Sequence, residues 1–125
     1  MPPSRWEAGY ARSLRWAFSA QSVGVADSIL ESRVAYAMAG TVRRRRESLG
    51  MTQEQLSLAS GVNRSTIQDL ESGHSDHKSE RPANPRMMTI LRLADALDLP
   101  VSELLEPVQE RYDFEKARLA EESTQ

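Results

Sequence analysis

The stretch Thr52-Gln-Glu-Gln-Leu-Ser-Leu-Ala-Ser-Gly-Val-Asn-Arg-Ser-Thr-Ile-Gln-Asp-Leu-Glu-Ser-Gly73 decides how this chain folds. It holds two short amphipathic segments around one tight turn. Thr52 and Gln55 form an S/T-x-x-E/Q capping box, in which each side chain satisfies the other residue's backbone N–H at a helix start. Leu56 and Ala59 share one side at the helical period. Gly61 is placed to end that helix in the left-handed conformation. Val62 is an apolar plug and Asn63 a second N-cap. Ile67 and Leu70 line the inner face of the next helix, which Gly73 stops. The spacing predicts helices over Gln53–Ser60 and Arg64–Ser72.

Helix, glycine turn, helix is the helix-turn-helix signature. The residues Gly50-Met51-Thr52-Gln53, Leu56, Gly61-Val62, Thr66-Ile67, Glu71 and Gly73, followed by Leu93-Ala94, Ala96 and Leu97, resemble the Cro/cI-type (XRE, lambda-repressor-like) family. The resemblance covers roughly residues 38–106. It implies an all-α fold with a five-helix DNA-binding domain over 38–106; helical periodicity outside it adds an N-terminal helical extension over 1–37 and a C-terminal tail over 107–125, partly helical and then disordered.

The bulk composition sets limits. A chain of 125 residues has room for one core with extensions, and without cysteine it has neither a disulfide framework nor a thiolate metal site. No apolar run approaches the ~18 residues of a membrane span. The charged N-terminus lacks the apolar centre of a signal peptide, so a cytoplasmic protein is expected. The net charge of −2 sits awkwardly with phosphate binding, but clustering matters more than the sum. Arg43 to Arg46 stand in a row, while Asp95, Asp98, Glu103 and Glu106 lie in the later helices. A dipolar molecule with one basic face is expected.

Outward from the central stretch, the N-terminal segment from Arg5 to about Ala20 carries Trp6, Tyr10, Leu14, Ala17 and Phe18 within a stripe of about 120°. Two readings lead: the stripe packs on the chain's own core, or it makes a dimer contact through Trp6, Tyr10, Leu14 and Phe18; a third, a basic helix lying on an anionic membrane, is disfavoured because three arginines are few. Gln21 to Ala26 reads as a linker. A second helix is expected from near Asp27 to Ser48, with a break at Gly40 and Thr41 capping a fresh helix. Beyond Gly73 lies a polar loop, 74–85, longer than the family's usual connection. Asn84 and Pro85 then fit the N-cap and first position of a helix whose apolar face includes Met88, Leu91, Leu93, Ala94 and Leu97. A short helix, Val101–Leu105, follows. The tail places Val108, Tyr112, Glu115 and Leu119 at helical spacing, with Glu115 interrupting the seam.

A recognition helix presents polar side chains at its N-terminal end, which enters the major groove. Arg64 can donate two bonds to guanine, Gln68 can pair with adenine, and Asp69 can accept from cytosine. The resemblance places base-reading positions at Arg64, Ser65 and Asp69; Gln68 is added on chemistry alone. Phosphate contacts are expected from Thr52, Gln53, Asn63, Thr66, Ser72, Arg43, Arg44, Lys78 and Arg81. In the family a Gln matching Gln53 holds a phosphate and braces the recognition helix. The four arginines fan through about 300° of helix and cannot share one partner. Arg46 matches the family position that pairs with the equivalent of Glu71, so a salt bridge between them is expected, leaving Arg43, Arg44 and Arg45 to phosphate or solvent.

His74 and His77 with Asp76 and Glu80 make only a weak metal pattern, since zinc sites demand better-defined ligands. No metal and no cofactor is expected. No nucleophile–base pair or phosphate-cradling loop can be argued, so no enzyme is expected. The expected partner is double-stranded DNA, bound by a homodimer at an inverted repeat. The expected role is a regulator, foremost a repressor of the phage-immunity or autoregulating-antitoxin type. The alternative is an interaction module that binds a toxin or polymerase partner through residues 1–40 or the tail.

Overall fold

The structure, a computed structural model, describes residues 23–74 and 81–123, and of 23–27 and 123 the backbone alone. Five helices occupy these residues: α1 (Val23–Ser48), α2 (Gln53–Ser60), α3 (Arg64–Ser72), α4 (Met87–Ala96) and α5 (Val101–Ser123). The fold is all-helical, as the resemblance implies. An isolated antiparallel bridge pairs His74 with Pro82, and the Ala83 N–H donates to the Gly73 carbonyl at 2.9 Å. The aromatic stripe of Trp6, Tyr10, Leu14 and Phe18 lies outside the described residues, as do Asp76, His77, Lys78 and Glu80.

The core draws on every helix. Met38 and Val42 of α1, Leu56 of α2, Ile67 and Leu70 of α3, Leu93, Ala94 and Leu97 of α4, and Leu104 of α5 are buried in one cluster with the turn residue Val62. Leu56, Ile67, Leu93, Leu97, Leu104 and Val42 are wholly enclosed. Each such aliphatic side chain contributes roughly 1.5–3 kcal/mol by leaving water. That cluster seals one face of α3 and thereby fixes which face looks outward.

Several boundaries differ from the sequence expectations. Helix α1 begins at Val23 rather than near Asp27, so residues 23–26 are helical rather than linker, and it runs unbroken through Gly40 to Ser48. Gly40 is buried, and Thr41 does not cap a new helix: its hydroxyl donates to the Ala37 carbonyl one turn back at 2.7 Å. Tertiary burial of Met38, Ala39 and Val42 around the glycine outweighs its ~1 kcal/mol propensity cost. Helix α4 starts at Met87, two residues beyond the expected start at Pro85, because Arg86 is still extended (φ −69°, ψ 154°). Its apolar face is also narrower than expected. Leu93, Ala94 and Leu97 are buried, whereas Met88 and Leu91 are exposed. Ala59 of α2 is likewise exposed.

The largest difference is at the C-terminus. The expected short helix and the tail form one 23-residue helix that passes through Pro107 and includes residues 121–123. Pro107 forfeits a backbone donor inside the helix, and packing of α5 along α1 offsets the loss. The two helices run antiparallel: Arg45 near the end of α1 meets residues just before α5, and Tyr36 to Arg44 face Pro107 to Phe114. Glu115 does not break the seam. It is 2% exposed and its carboxylate is satisfied by Arg111 at 3.2 Å and Arg118 at 3.0 Å, both from its own helix. A buried carboxylate is tolerable when it is paired and hydrogen-bonded.

Candidate nucleic-acid interface

The turn between α2 and α3 is built by short polar side chains as much as by glycine. Thr52 Oγ1 accepts from the Gln55 N–H at 3.1 Å, and Gln55 Oε1 accepts from the Thr52 N–H at 2.8 Å, completing the expected capping box. Gly61 closes α2 at φ 73°. Ser57 Oγ donates to the Val62 carbonyl at 2.6 Å, and Ser60 Oγ accepts from the Val62 N–H at 3.1 Å. Val62 is thus pinned as a plug from both sides of its backbone. The two serines were not singled out from the sequence; their i,i+5 and i,i+2 spacing to Val62 is the signal that was available.

Helix α3 is held from behind by a buried ion pair. Arg46 Nε donates to Glu71 Oε2 at 2.8 Å and Arg46 Nη2 to Glu71 Oε1 at 2.8 Å, while Nη1 donates to the Met51 carbonyl at 2.8 Å. The side chains are 12% and 4% exposed. The hydrogen bond to Glu71 raises the Arg46 pKa above its ordinary value, against the lowering effect of burial. Gln53 Nε2 lies 3.4 Å from Glu71 Oε1, so the first residue of α2 braces the same carboxylate. One charged hub ties α1, α2 and α3 together.

The outer face of α3 carries the expected readers. Arg64, Ser65 and Gln68 are exposed and Asp69 half-buried. With Ser72 they fall within an arc of about 140° opposite Ile67 and Leu70. Among the described residues Arg64, Ser65 and Gln68 have no hydrogen bond or ion pair, so their donors and acceptors are open to a ligand. Asn63 occupies the N-cap position, yet its side chain makes no cap hydrogen bond; its amide is also open. Thr66 is half-buried beside this face. The Thr52 hydroxyl accepts within the capping box but keeps its own hydrogen to donate. Ser72 Oγ is engaged at the end of α3, donating to the Asp69 carbonyl at 2.7 Å.

The other cations disperse. Arg43 is exposed and shares the face of α1 that carries Tyr36. Arg44, about 100° further round the helix, folds back over Gly40: its Nη1 lies 2.8 Å from where a glycine side chain would begin. Arg45 goes neither to phosphate nor to open solvent. Its Nε donates to the Leu97 carbonyl at 2.9 Å and its Nη2 to the Asp98 carbonyl at 3.2 Å, capping the end of α4 where Asp98 turns left-handed (φ 56°). The tetrad therefore splits by angle into a core clamp, a helix cap, a groove residue and one outward cation. Arg81 is exposed, and Lys78 lies outside the described residues.

Tyr36 is a further residue that the sequence reading passed over. Its ring lies 3.1 Å from the point where a side chain on Gly73 would begin, and it meets the His74 ring edge-on at 6.0 Å. Gly73 adopts φ 83°, and its N–H donates to the Asp69 and Leu70 carbonyls. The end of α3 is thus buttressed by α1.

An α-helix standing outward from a glycine turn, sealed behind and bare in front, defines a helix-turn-helix DNA-binding protein. The sequence matches the helix-turn-helix family over residues 42–104. The chain belongs to this family, in its XRE branch, and is a DNA-binding transcription regulator. The family is a regulatory one rather than an enzyme family. No curated protein and no solved structure matches the chain. No helix among the described residues is long and apolar enough to cross a membrane.

Proposed function

We propose that this protein is a sequence-specific repressor that works in the cytoplasm as a homodimer on an inverted repeat, with no catalytic activity of its own. The observation that carries the reading is the bare polar face of α3, with Arg64, Ser65 and Gln68 exposed over a sealed apolar back. Side chains left without partners at the start of a recognition helix have the chemistry of base readers. Arg64 takes guanine, Gln68 adenine and Asp69 cytosine, with Ser65 beside them. Thr52, Gln53, Asn63, Thr66 and Arg43 line the flanking backbone, joined by Ser72, Arg44, Lys78 and Arg81 at the margins. Charge supports the division of labour: Asp69 repels phosphate and so penalises wrong sequences more than it adds affinity.

Selection from random duplexes with the full chain, followed by footprinting and a measurement of stoichiometry, tests the proposal. The expected result is an enriched inverted repeat bound by two chains, its half-sites about one helical turn apart. Failure to enrich any sequence would overturn it and favour an interaction module built on the same fold.

A further inference from the structure

Antiparallel packing of α1 and α5 leaves an open groove of about 490 Å3 between them. Its α1 wall carries Tyr36, Ala37, Thr41 and Arg44, and its α5 wall Pro107, Glu110, Arg111 and Phe114. Tyr36 is 58% and Phe114 60% exposed. Two large rings bared in one surface mark a contact site. Arg44 and Glu110 are exposed as well, and neither makes a hydrogen bond or ion pair among the described residues. An unmatched cation thus stands on one wall and an unmatched anion on the other.

We propose that this groove is the face through which two copies of the chain associate, stacked wall on wall about a two-fold axis. The proposal rests on the homodimer reading above and names the surface that reading requires. The order of residues along the groove carries it. At 1.5 Å per residue Tyr36 and Arg44 stand roughly 12 Å apart along α1, and Pro107 and Phe114 roughly 10 Å apart along α5. Because the helices are antiparallel, the two rings gather at one end and Pro107 and the Arg44 backbone at the other. The Arg44 guanidinium turns back over Gly40, which brings it toward the middle, the level of Glu110.

A two-fold axis through the middle of the groove exchanges both its ends and its walls. Glu110 of the second copy then lies over Arg44, and Arg44 of the second copy over Glu110, making two reciprocal ion pairs. The same rotation seats each Phe114 ring on the other copy's α1 wall beside Thr41, and each Tyr36 ring on the other copy's Pro107. Arg111 needs no outside partner, since it already holds Glu115. Every bare ring and unmatched charge of the groove therefore finds its complement in a second copy of the same groove. A partner of one charge sign would leave either Arg44 or Glu110 unmatched. Tyr36 also buttresses Gly73, so association steadies the end of α3.

Charge exchange tests the face, read by sedimentation velocity of the full chain. DNA is left out, so that the phosphate role of Arg44 does not enter. The wild type is expected to sediment as two chains. Arg44→Glu and Glu110→Arg are each expected to sediment as one, because each variant sets like charges together at both contacts. Helix content by circular dichroism is expected to stay unchanged. Mixed in equal amounts, the two variants are expected to form a dimer, since their charges are opposite at both contacts. Phe114→Glu is expected to be monomeric, and Met88→Glu, on the exposed face of α4, to remain a dimer. A wild-type monomer, a dimer that survives the groove variants, a mixture that stays monomeric, or dissociation by Met88→Glu overturns the proposal. Two chains counted on the selected duplex leave the homodimer reading standing when this face fails, whereas one chain there overturns that reading.

Discussion

Arg46 and Glu71 face each other as fork and carboxylate, with two hydrogen bonds of 2.8 Å almost wholly out of solvent. The pair joins the helix that carries the arginine tetrad to α3, the helix with the bare polar face. Removing either partner leaves the other charge buried and uncompensated. Glu71→Ala and Arg46→Ala are each expected to lose about 3–5 kcal/mol of unfolding free energy, measured by urea denaturation. Because the hydrogen bond to Glu71 raises the guanidinium pKa, the stability it contributes is fully present below the unfolded value and is lost only as pH rises through the higher folded value, beyond the ordinary pH range. Mutation, not alkali, is therefore the practical way to break the pair. A wild-type unfolding midpoint in Glu71→Ala would show that the pair contributes nothing.

Arg64 stands at the first position of α3, exposed and open to a ligand. Arg64→Ala is expected to lose about 1–3 kcal/mol of discrimination at a single base pair, with little change elsewhere in the site. Binding to a set of single-substitution operators checks this. A uniform loss at every position would instead mark Arg64 as a phosphate contact.

Arg43 and Arg45 are neighbours in sequence with opposite expected phenotypes. Arg43→Ala should lower the slope of log affinity against log salt by about 1 and leave stability unchanged. Arg45→Ala removes two charge-assisted bonds to the carbonyls closing α4 and should cost roughly 1.5–3 kcal/mol of stability without altering that slope. Salt titrations and urea melts on both variants separate the two roles; identical behaviour would contradict the split.

Gly73 combines a left-handed backbone with the Tyr36 ring against its missing side chain. Gly73→Ala is expected to cost about 1–2 kcal/mol from backbone conformation alone, with a further loss from displacing the ring. In a Tyr36→Ala background only the conformational part should remain. Equal costs of Gly73→Ala in both backgrounds would mean that the ring contact is inert.

Pro107 occupies the interior of α5. Pro107→Ala restores a backbone donor and should raise stability, by up to about 3 kcal/mol on helix propensity, in the same urea assay. A loss of stability would show that the ring packs better on α1 than the recovered hydrogen bond repays.

How far the sequence could be read depended on how local each determinant was. The capping box at Thr52 and Gln55, the glycine stop at Gly61 and the inward pair Ile67 and Leu70 involve residues within one or two turns. Their geometry follows from backbone sterics and the helical period. The continuity of α1 and the start of α4 were less legible. Gly40 and Pro85 are local signals for a break and a start, and burial around Gly40 and the extended backbone at Arg86 overrode them. Glu115 looked like an error in an apolar seam because its two arginine partners, three and four residues away, were not counted with it.

The residues 52–73 by themselves determined a helix-turn-helix and which face of α3 points outward, since a period and its caps need no distant partner. Only the tertiary structure decided what the four arginines do, because equal side chains at successive 100° steps meet different neighbours. It also decided that α1 and α5 are single long helices, since a glycine or a proline inside a helix survives only when packing along its length outweighs the local cost. The groove between those two helices belongs to that second kind of knowledge: it exists because α5 continues past Pro107 and lies along α1.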